Sequence, residues 1–468
     1  MATEKKTDGE LLAEKLLMKK KHAGLIMSDE EIKEAFDYCE RYKSFISISK
    51  IEREAVVNTV IEAEKKGFVP FDPDRQYKPG DKVYSINRGK AVIFAVIGSE
   101  PVSEGLNIAA AHIDSPRLDL KQNPLFENEE NAYFKTHYYG GIKKYQWGTI
   151  PLALHGAIVK KDGTVVNVTV GEDEGDPVFC VTDLLPHLAQ EQMKRTPAEL
   201  LKGEELNILI GSLPFRDDKA AEKVKLAIIK LLNEKYDIDE GDLLSAELDA
   251  VPAGRAKDVG FDRSYIGAYG HDDKVCSYTA FSALMDLKGI PERTAVVVLT
   301  DKEETGSDGN TGLKSSYLKY FVEDLADSCG SKGHRVLSKS RCLSADVNAG
   351  FDPTFPDVLE KRNCAFMNYG VCITKFTGAR GKSGTSDASA EFVAEVRRIM
   401  DEGNVIWQTG ELGKVDLGGG GTVAAYIANL DVDTIDIGTP VLCMHAPFEL
   451  VSKLDVYQTY KAFCAFLK

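Results

Sequence analysis

The run Ala295-Val296-Val297-Val298-Leu299 carries no polar residue at alternate positions. A strand with one wet face alternates apolar and polar side chains. A strand that does not alternate is covered on both faces, as in a parallel sheet between layers of helices. This run therefore points to an α/β architecture with a mixed, mostly parallel sheet flanked by helices. Further buried strands are read at 91–98 (AVIFAVIG), 106–111 (LNIAAA), 342–345 (CLSA) and near 433–437. Helices are read at about 274–288, 386–402, 422–429 and from 453 onward. The first ~70 residues also read as helical. Leu11, Leu12, Leu16 and Leu17 make an apolar stripe, and Ser28 followed by Glu31 forms a capping box that opens a helix through Phe36 and Tyr42.

Between 118 and 262 the texture changes to short β-like runs punctuated by Gly and Asp (AIVKKDGTVVNVTVG, for example), with one helical stretch near 219–235. The chain has 468 residues, more than one ordinary core holds. The expected division is a discontinuous α/β domain, 1–117 with 263–468, interrupted by a β-rich domain over 118–262. Apolar residues at 43% and charged residues at 28% are ordinary for a globular chain. The net charge of −15 opposes nucleic acid as a main partner, since phosphate binding wants a basic surface. No apolar stretch has the length of a signal peptide or a membrane span, so neither secretion nor membrane insertion is expected. The nine cysteines form no CxxC pair, and several, Cys276 and Cys443 among them, sit in apolar runs. They read as reduced core residues of a cytoplasmic protein.

The residues just past each buried strand carry the chemistry. LNIAAA runs into His112 and Asp114, AVVVL into Glu303 and Glu304, CLSA into Asp346, and the run DTIDIGTPVLCM into His445. Ligands of open α/β sheets bind beyond the carboxyl ends of the strands, so these side chains are expected at one rim. Asp272 comes from the start of a helix, where it also suits an N-cap. Two histidines with several carboxylates can hold a pair of divalent cations; imidazole and carboxylate suit zinc, and manganese or cobalt less selectively. Two such ions need a bridging carboxylate and can activate a water between them. In the Glu303-Glu304 pair, one carboxylate can bind metal while its neighbour stays free as a base. Asp114, two residues past His112 in an extended segment, shares its face and can hold its imidazole. Singly, each residue has a plainer reading: a helix cap for Asp272, a solvated face for the glutamates. Their convergence on one rim favours the metal reading.

The segments AAHIDSPRLDLK (110–121), Glu303-Glu304-Thr305-Gly306, SAD (344–346) and GTPVLCMHAPFE (438–449) resemble the aspartyl aminopeptidase family of dinuclear zinc peptidases, metallopeptidase family 18, over most of the chain. The resemblance implies that His112 and Asp346 bind one metal, Glu304 and His445 the other, and Asp272 bridges them. It makes Glu303 the general base and Asp114 the residue that orients His112. It further implies removal of N-terminal residues from peptide substrates, with acidic residues preferred. The implied fold is an α/β catalytic domain interrupted by a β-rich domain for dimer contacts, and the implied assembly a homo-oligomer built from dimers to a dodecamer. Lys375, in the segment GVCITK, is the expected partner of an acidic substrate side chain. His187 keeps the first histidine of a PHLxxH pattern in which one histidine reaches a neighbouring subunit's site, but Glu191 stands at the second place. The stretch after Tyr139-Gly140-Gly141 also departs from the family pattern. Both departures touch substrate handling rather than the metals.

Other signals carry less. Gly381-Lys382-Ser383 is not a phosphate loop, because Phe376 occupies the place of the required glycine. Gly418–Gly421 reads either as an anion-binding turn or as a plain flexible one. There is no HExxH helix and no GxSxG elbow. A related two-metal deacylase or carboxypeptidase, and a non-catalytic scaffold on the same fold, remain the alternative functions at this level.

Overall fold

In a computed structural model, which describes residues 6–468, the expected strands line up in one nine-stranded sheet. Its centre is four parallel strands in the order Thr294–Thr300, Leu106–His112, Arg341–Ala345, Asp433–Gly438. Ala91–Val96 pairs antiparallel with the first of these and Val371–Thr374 antiparallel with the last. Leu106–His112 and Thr294–Thr300 are buried along their whole length. Alternate side chains feed two separate cores. Ala109, Ala111 and Val297 pack with Tyr42, Phe281 and Phe463 of the helices on one face. Ile108, Ala110 and Val296 pack with Phe321, Val322 and Leu325 on the other. Burial of each such large side chain contributes roughly 1.5–3 kcal/mol, so the sheet is held firmly from both sides.

The register aligns the strand ends. Thr300 lies opposite His112, Ser344 opposite Ala110 and Ala345 opposite Ile437. Residues just beyond these ends therefore stand level along one rim. At Gly438 a Cβ would fall 1.7 Å from the Asp346 carbonyl oxygen, so glycine is required where these two strands close on each other.

The capping box at Ser28 forms as expected and opens the helix Asp29–Ile48. The leucine stripe lies on the helix Asp8–Leu16, but its leucines are exposed. All nine cysteines are free. Cys276 is buried, whereas Cys443 is exposed, against its apolar surroundings in sequence. It lies in a turn with φ 58° that lifts the chain out of the sheet toward His445.

A second, seven-stranded sheet is made by strands between Arg117 and Pro252. A third, of five strands, joins Lys257–Val259 and Tyr265–Ala268 to Glu449–Ser452, Pro440–Leu442 and Asn348–Ala349. The second sheet meets the first layer through buried charge. His155 of the strand Leu152–Val159 has its Nδ1 2.7 Å from Glu54 Oε1 and its Nε2 3.2 Å from Glu172 Oε1. Burial pulls the His155 pKa down, but the carboxylates of Glu172 and Glu54 outweigh it and hold the group at about 9. A histidine raised from 6.5 to about 9 contributes stability that is full below pH 6.5 and is lost as pH climbs through 9. The wild-type stability advantage over His155→Gln is expected to be on the order of 3 kcal/mol near pH 6. It should shrink toward zero by pH 10, as read by thermal denaturation across that range; an advantage independent of pH would contradict the charged clasp.

Candidate metal centre

The site forms where the parallel strands end. His112 is the last residue of Leu106–His112, Asp346 follows Arg341–Ala345, and Glu303 and Glu304 sit in a 3-10 turn beyond Thr294–Thr300. Asp272 and His445 arrive from the third sheet. Tyr265–Ala268 leads through Gly270 into the helix His271–Met285, where Asp272 has φ −79° and ψ 106°, outside the helical region. Asp272 thus does not cap the helix; its side chain points into the rim. His445 does not follow the parallel strand Asp433–Gly438 directly. The chain crosses into the third sheet at Pro440–Leu442, and His445 stands in the turn after it with φ 64°.

Distances place these residues around one centre. Asp272 reaches both histidines with opposite oxygens: Oδ1 lies 3.2 Å from His112 Nε2 and Oδ2 lies 3.1 Å from His445 Nε2. His112 Nε2 is also 3.9 Å from Asp346 Oδ1 and 3.9 Å from Glu303 Oε2, and His445 Nε2 is 3.6 Å from Glu304 Oε2. Asp114, fully buried, lies with Oδ1 3.3 Å from His112 Nδ1. Its two carboxylate oxygens accept the main-chain N–H groups of Glu303 and Glu304, each at 3.1 Å. One anchor therefore serves His112 and both glutamates.

The electrostatics are those of a site that awaits positive charge. Burial drives Asp346, Glu304 and Asp273 well above the usual carboxylate range, and lifts Glu303 to about 7. Burial also opposes ionisation of Asp272, but the two imidazoles outweigh it and hold its pKa low. His445 is pulled down by burial and held up near 10 by Asp272 and Glu304. Asp272 Oδ1, Glu304 Oε1 and both oxygens of Asp273 are buried without a hydrogen-bond partner. Buried carboxylate oxygens are rarely left so, and isolated buried charge is costly. Ligand atoms of His112, Asp273 and Asp346, and of His112, Asp272 and Glu304, lie within 4.8 Å of one another. Imidazole with carboxylate is a donor set that fits zinc.

Sequence reasoning missed four contributors. Asp273 escaped because its neighbour Asp272 already filled the expected role. Glu449 is buried and accepts from the N–H of Asp272 at 3.0 Å and of His445 at 2.7 Å, tying the two segments together. Its place four residues after His445, inside a recognised motif, was the available signal. Tyr139 donates its hydroxyl to Asp114 Oδ2 at 2.7 Å, and the Gly141 carbonyl lies 2.8 Å from His445 Nδ1. Lys375 and His187 are not brought to the centre within this chain. Lys375 pairs with Asp387, which also binds Lys382 at 2.9 Å. His187 lies exposed, and nearby Glu191 pairs with Lys194. The glycine turn uses its N–H groups internally, Gly419 to the Leu412 carbonyl and Gly420 to that of Thr377.

Residues 45–467 match the model of the aminopeptidase I zinc metalloprotease family, M18. A probable M18 family aminopeptidase 1 of Clostridium acetobutylicum is 51% identical over 460 residues, covering 97% of this chain and 99% of the relative. The crystal structure of an M18 aminopeptidase from Thermotoga maritima superposes with a TM-score of 0.91 at 43% identity, over 96% of this chain and 99% of that one. At 21% identity the S. cerevisiae mApe1 dodecamer shares the fold, with a TM-score of 0.75 over 92% of this chain and 96% of that one.

Zinc added to metal-free protein is expected to raise its thermal midpoint, with a gain near ~2.7 kcal/mol when free zinc is a hundredfold above Kd. Asp272→Asn should remove most of that gain. A wild-type midpoint indifferent to zinc would show that the unpartnered carboxylates do not form a metal site.

Proposed function

The chain belongs to the M18 family of zinc aminopeptidases, and on that premise we propose that it releases the N-terminal residue of peptides through a two-metal site with Glu303 as general base. The observation that carries this reading is the double approach of Asp272, one oxygen to each histidine. In this assignment Asp272 bridges, His112 and Asp346 hold one ion, and Glu304 and His445 hold the other. When bound, the two ions supply a water of lowered pKa and polarise the scissile carbonyl. Glu303 accepts the proton of the attacking water on its carboxylate and passes it to the departing amine. Its ordinary value lifted by burial to about 7 suits that exchange near neutral pH. Asp114 holds His112 through Nδ1, leaving Nε2 free to face the ions, and fixes Glu303 through its main-chain N–H.

For specificity we take Lys375 as the partner of an acidic first residue. In the free protein Asp387 occupies its ammonium group, so an acidic substrate side chain would have to displace that carboxylate. His187 is assigned to substrate contact across a subunit boundary in a homo-oligomer built from dimers toward a dodecamer, the assembly in which mApe1 was solved. Nine unpaired thiols suit a reducing compartment, and we place the protein in the cytoplasm. Among the described residues no helix is long and apolar enough to cross a membrane.

Glu303→Gln should cut turnover by about a hundredfold or more while leaving zinc affinity intact, because a base is not a ligand. Near-normal turnover in that variant would end the assignment. A panel of peptides differing in the first residue should show preference for Asp or Glu. Lys375→Ala should lower kcat/KM for those substrates by roughly tenfold, equivalent to about 1.4 kcal/mol, and spare neutral ones. A wild-type preference for neutral residues would remove Lys375 from the role.

A further inference from the structure

The last residues of the strand Asn131–Tyr139, and the two glycines after it, lie against the metal centre although they belong to the second sheet. Three consecutive residues touch three different parts of the site. The Tyr139 hydroxyl donates to Asp114 Oδ2 at 2.7 Å. At Gly140, where φ is +72°, a Cβ would stand 3.2 Å from Glu304 Oε2 and 3.3 Å from Pro116 Cβ, so the backbone already lies against that carboxylate. The Gly141 carbonyl lies 2.8 Å from His445 Nδ1, which gives that nitrogen its acceptor and leaves Nε2 turned to Asp272.

From this geometry we infer that Tyr139-Gly140-Gly141 is the outer support of both halves of the metal centre, and that Tyr139 is a positioning residue acting through Asp114. The inference rests on the two-metal reading above. Asp114 has four demands on it: the imidazole of His112, the N–H groups of Glu303 and Glu304, and the Tyr139 hydroxyl. The hydroxyl is the contact contributed by the second sheet. Without it Oδ2 keeps a single donor, and the carboxylate is free to turn about its Cβ–Cγ bond. Any such turn moves His112 and the glutamate turn together, since all hang on the same group.

Tyr139 is itself fixed. The Arg117 guanidinium lies 4.2 Å over its ring. Arg117 is buried and held by Asp119 at 2.8 Å, by Asp249 at 3.3 Å, and by Glu52 of the helix Glu52–Lys65 at 3.3 Å. The hydroxyl is thus aimed by a ring clamped where the second sheet joins the main one. On the other side, Gly141 supplies a carbonyl to a histidine that no side chain orients through Nδ1 among the described residues. Partners of this kind, hydrogen-bonded to a ligand or to its holder, typically set metal affinity by 10–100-fold.

Tyr139→Phe isolates the claim, because it keeps the ring over Arg117 and removes only the hydroxyl. Metal-free wild type, Tyr139→Phe and Glu303→Gln are titrated with zinc in competition with a chromophoric chelator, and their metal-free melting curves are recorded. The expected result is zinc affinity 10–100-fold weaker in Tyr139→Phe, wild-type affinity in Glu303→Gln, and a lower kcat for Tyr139→Phe with KM little changed. Affinity within twofold of wild type in Tyr139→Phe overturns the inference while leaving the two-metal reading standing. Absence of zinc binding in the wild type itself overturns both. If Tyr139→Phe melts far below the wild type without metal, Gly140→Ala tests the same support from the side of Glu304: a tenfold weaker zinc step supports it, and an unchanged one overturns it.

Discussion

Five carboxylates, from Asp272, Asp273, Glu303, Glu304 and Asp346, are crowded around two imidazoles in a place from which water is largely removed, and the remainder of the molecule is arranged to keep them there. Like charges so close repel, and burial raises the cost of each. Local preference does not assemble such a cluster; a stiff frame does. The frame is the parallel sheet, whose side chains pack into two dense cores and whose register brings His112, Thr300 and Asp346 level. Apolar burial thus supplies the free energy that opposes the repulsion in the folded chain, and cations relieve what is left.

The same logic explains the hubs. Asp114 and Glu449 are carboxylates that take no place at the centre, yet each joins segments remote in sequence. Asp114 collects His112, Glu303 and Glu304; Glu449 collects Asp272 and His445. Between them they tie the two histidines, the bridging aspartate and the glutamate turn into one frame. Main-chain N–H donors are the right partners for this work, because their positions follow from the backbone and carry no rotamer freedom.

Legibility in the sequence followed the length scale of the interaction. The run at 295–299 and its companions announced the sheet because two-sided burial leaves a mark on every residue of a strand. His112 and Asp346 were legible in turn, since a polar residue ending a buried strand of a parallel sheet has only the rim to occupy. Asp272 was readable as a helix start, but its function depends on a backbone that departs from the helix at that residue, and composition records no such departure. Asp273 lay hidden behind it for the same reason. Glu449, Tyr139 and Gly141 act through contacts spanning 177, 25 and 304 residues. No periodicity reports such contacts, and Gly141 acts through its main chain, which has no side-chain signature at all. The Lys375–Asp387 pair was invisible because nothing in the spacing of two exposed loop residues shows that they meet.

The junction between the sheets is charged where an apolar seam would have been the simpler choice. Buried ion pairs are weak sources of stability, since desolvation offsets most of the attraction. Their contribution is direction. Apolar surfaces are non-directional and tolerate small slides, whereas the guanidinium of Arg117 has a fixed fork that Glu52, Asp119 and Asp249 engage from different elements. A slide of even half an ångström would be felt at the 2.7 Å contact between Tyr139 and Asp114, and from there at His112. An interface that must hold a hydroxyl at hydrogen-bonding distance from the anchor of a metal centre needs angular definition more than it needs free energy, and this seam is built of the groups that provide it.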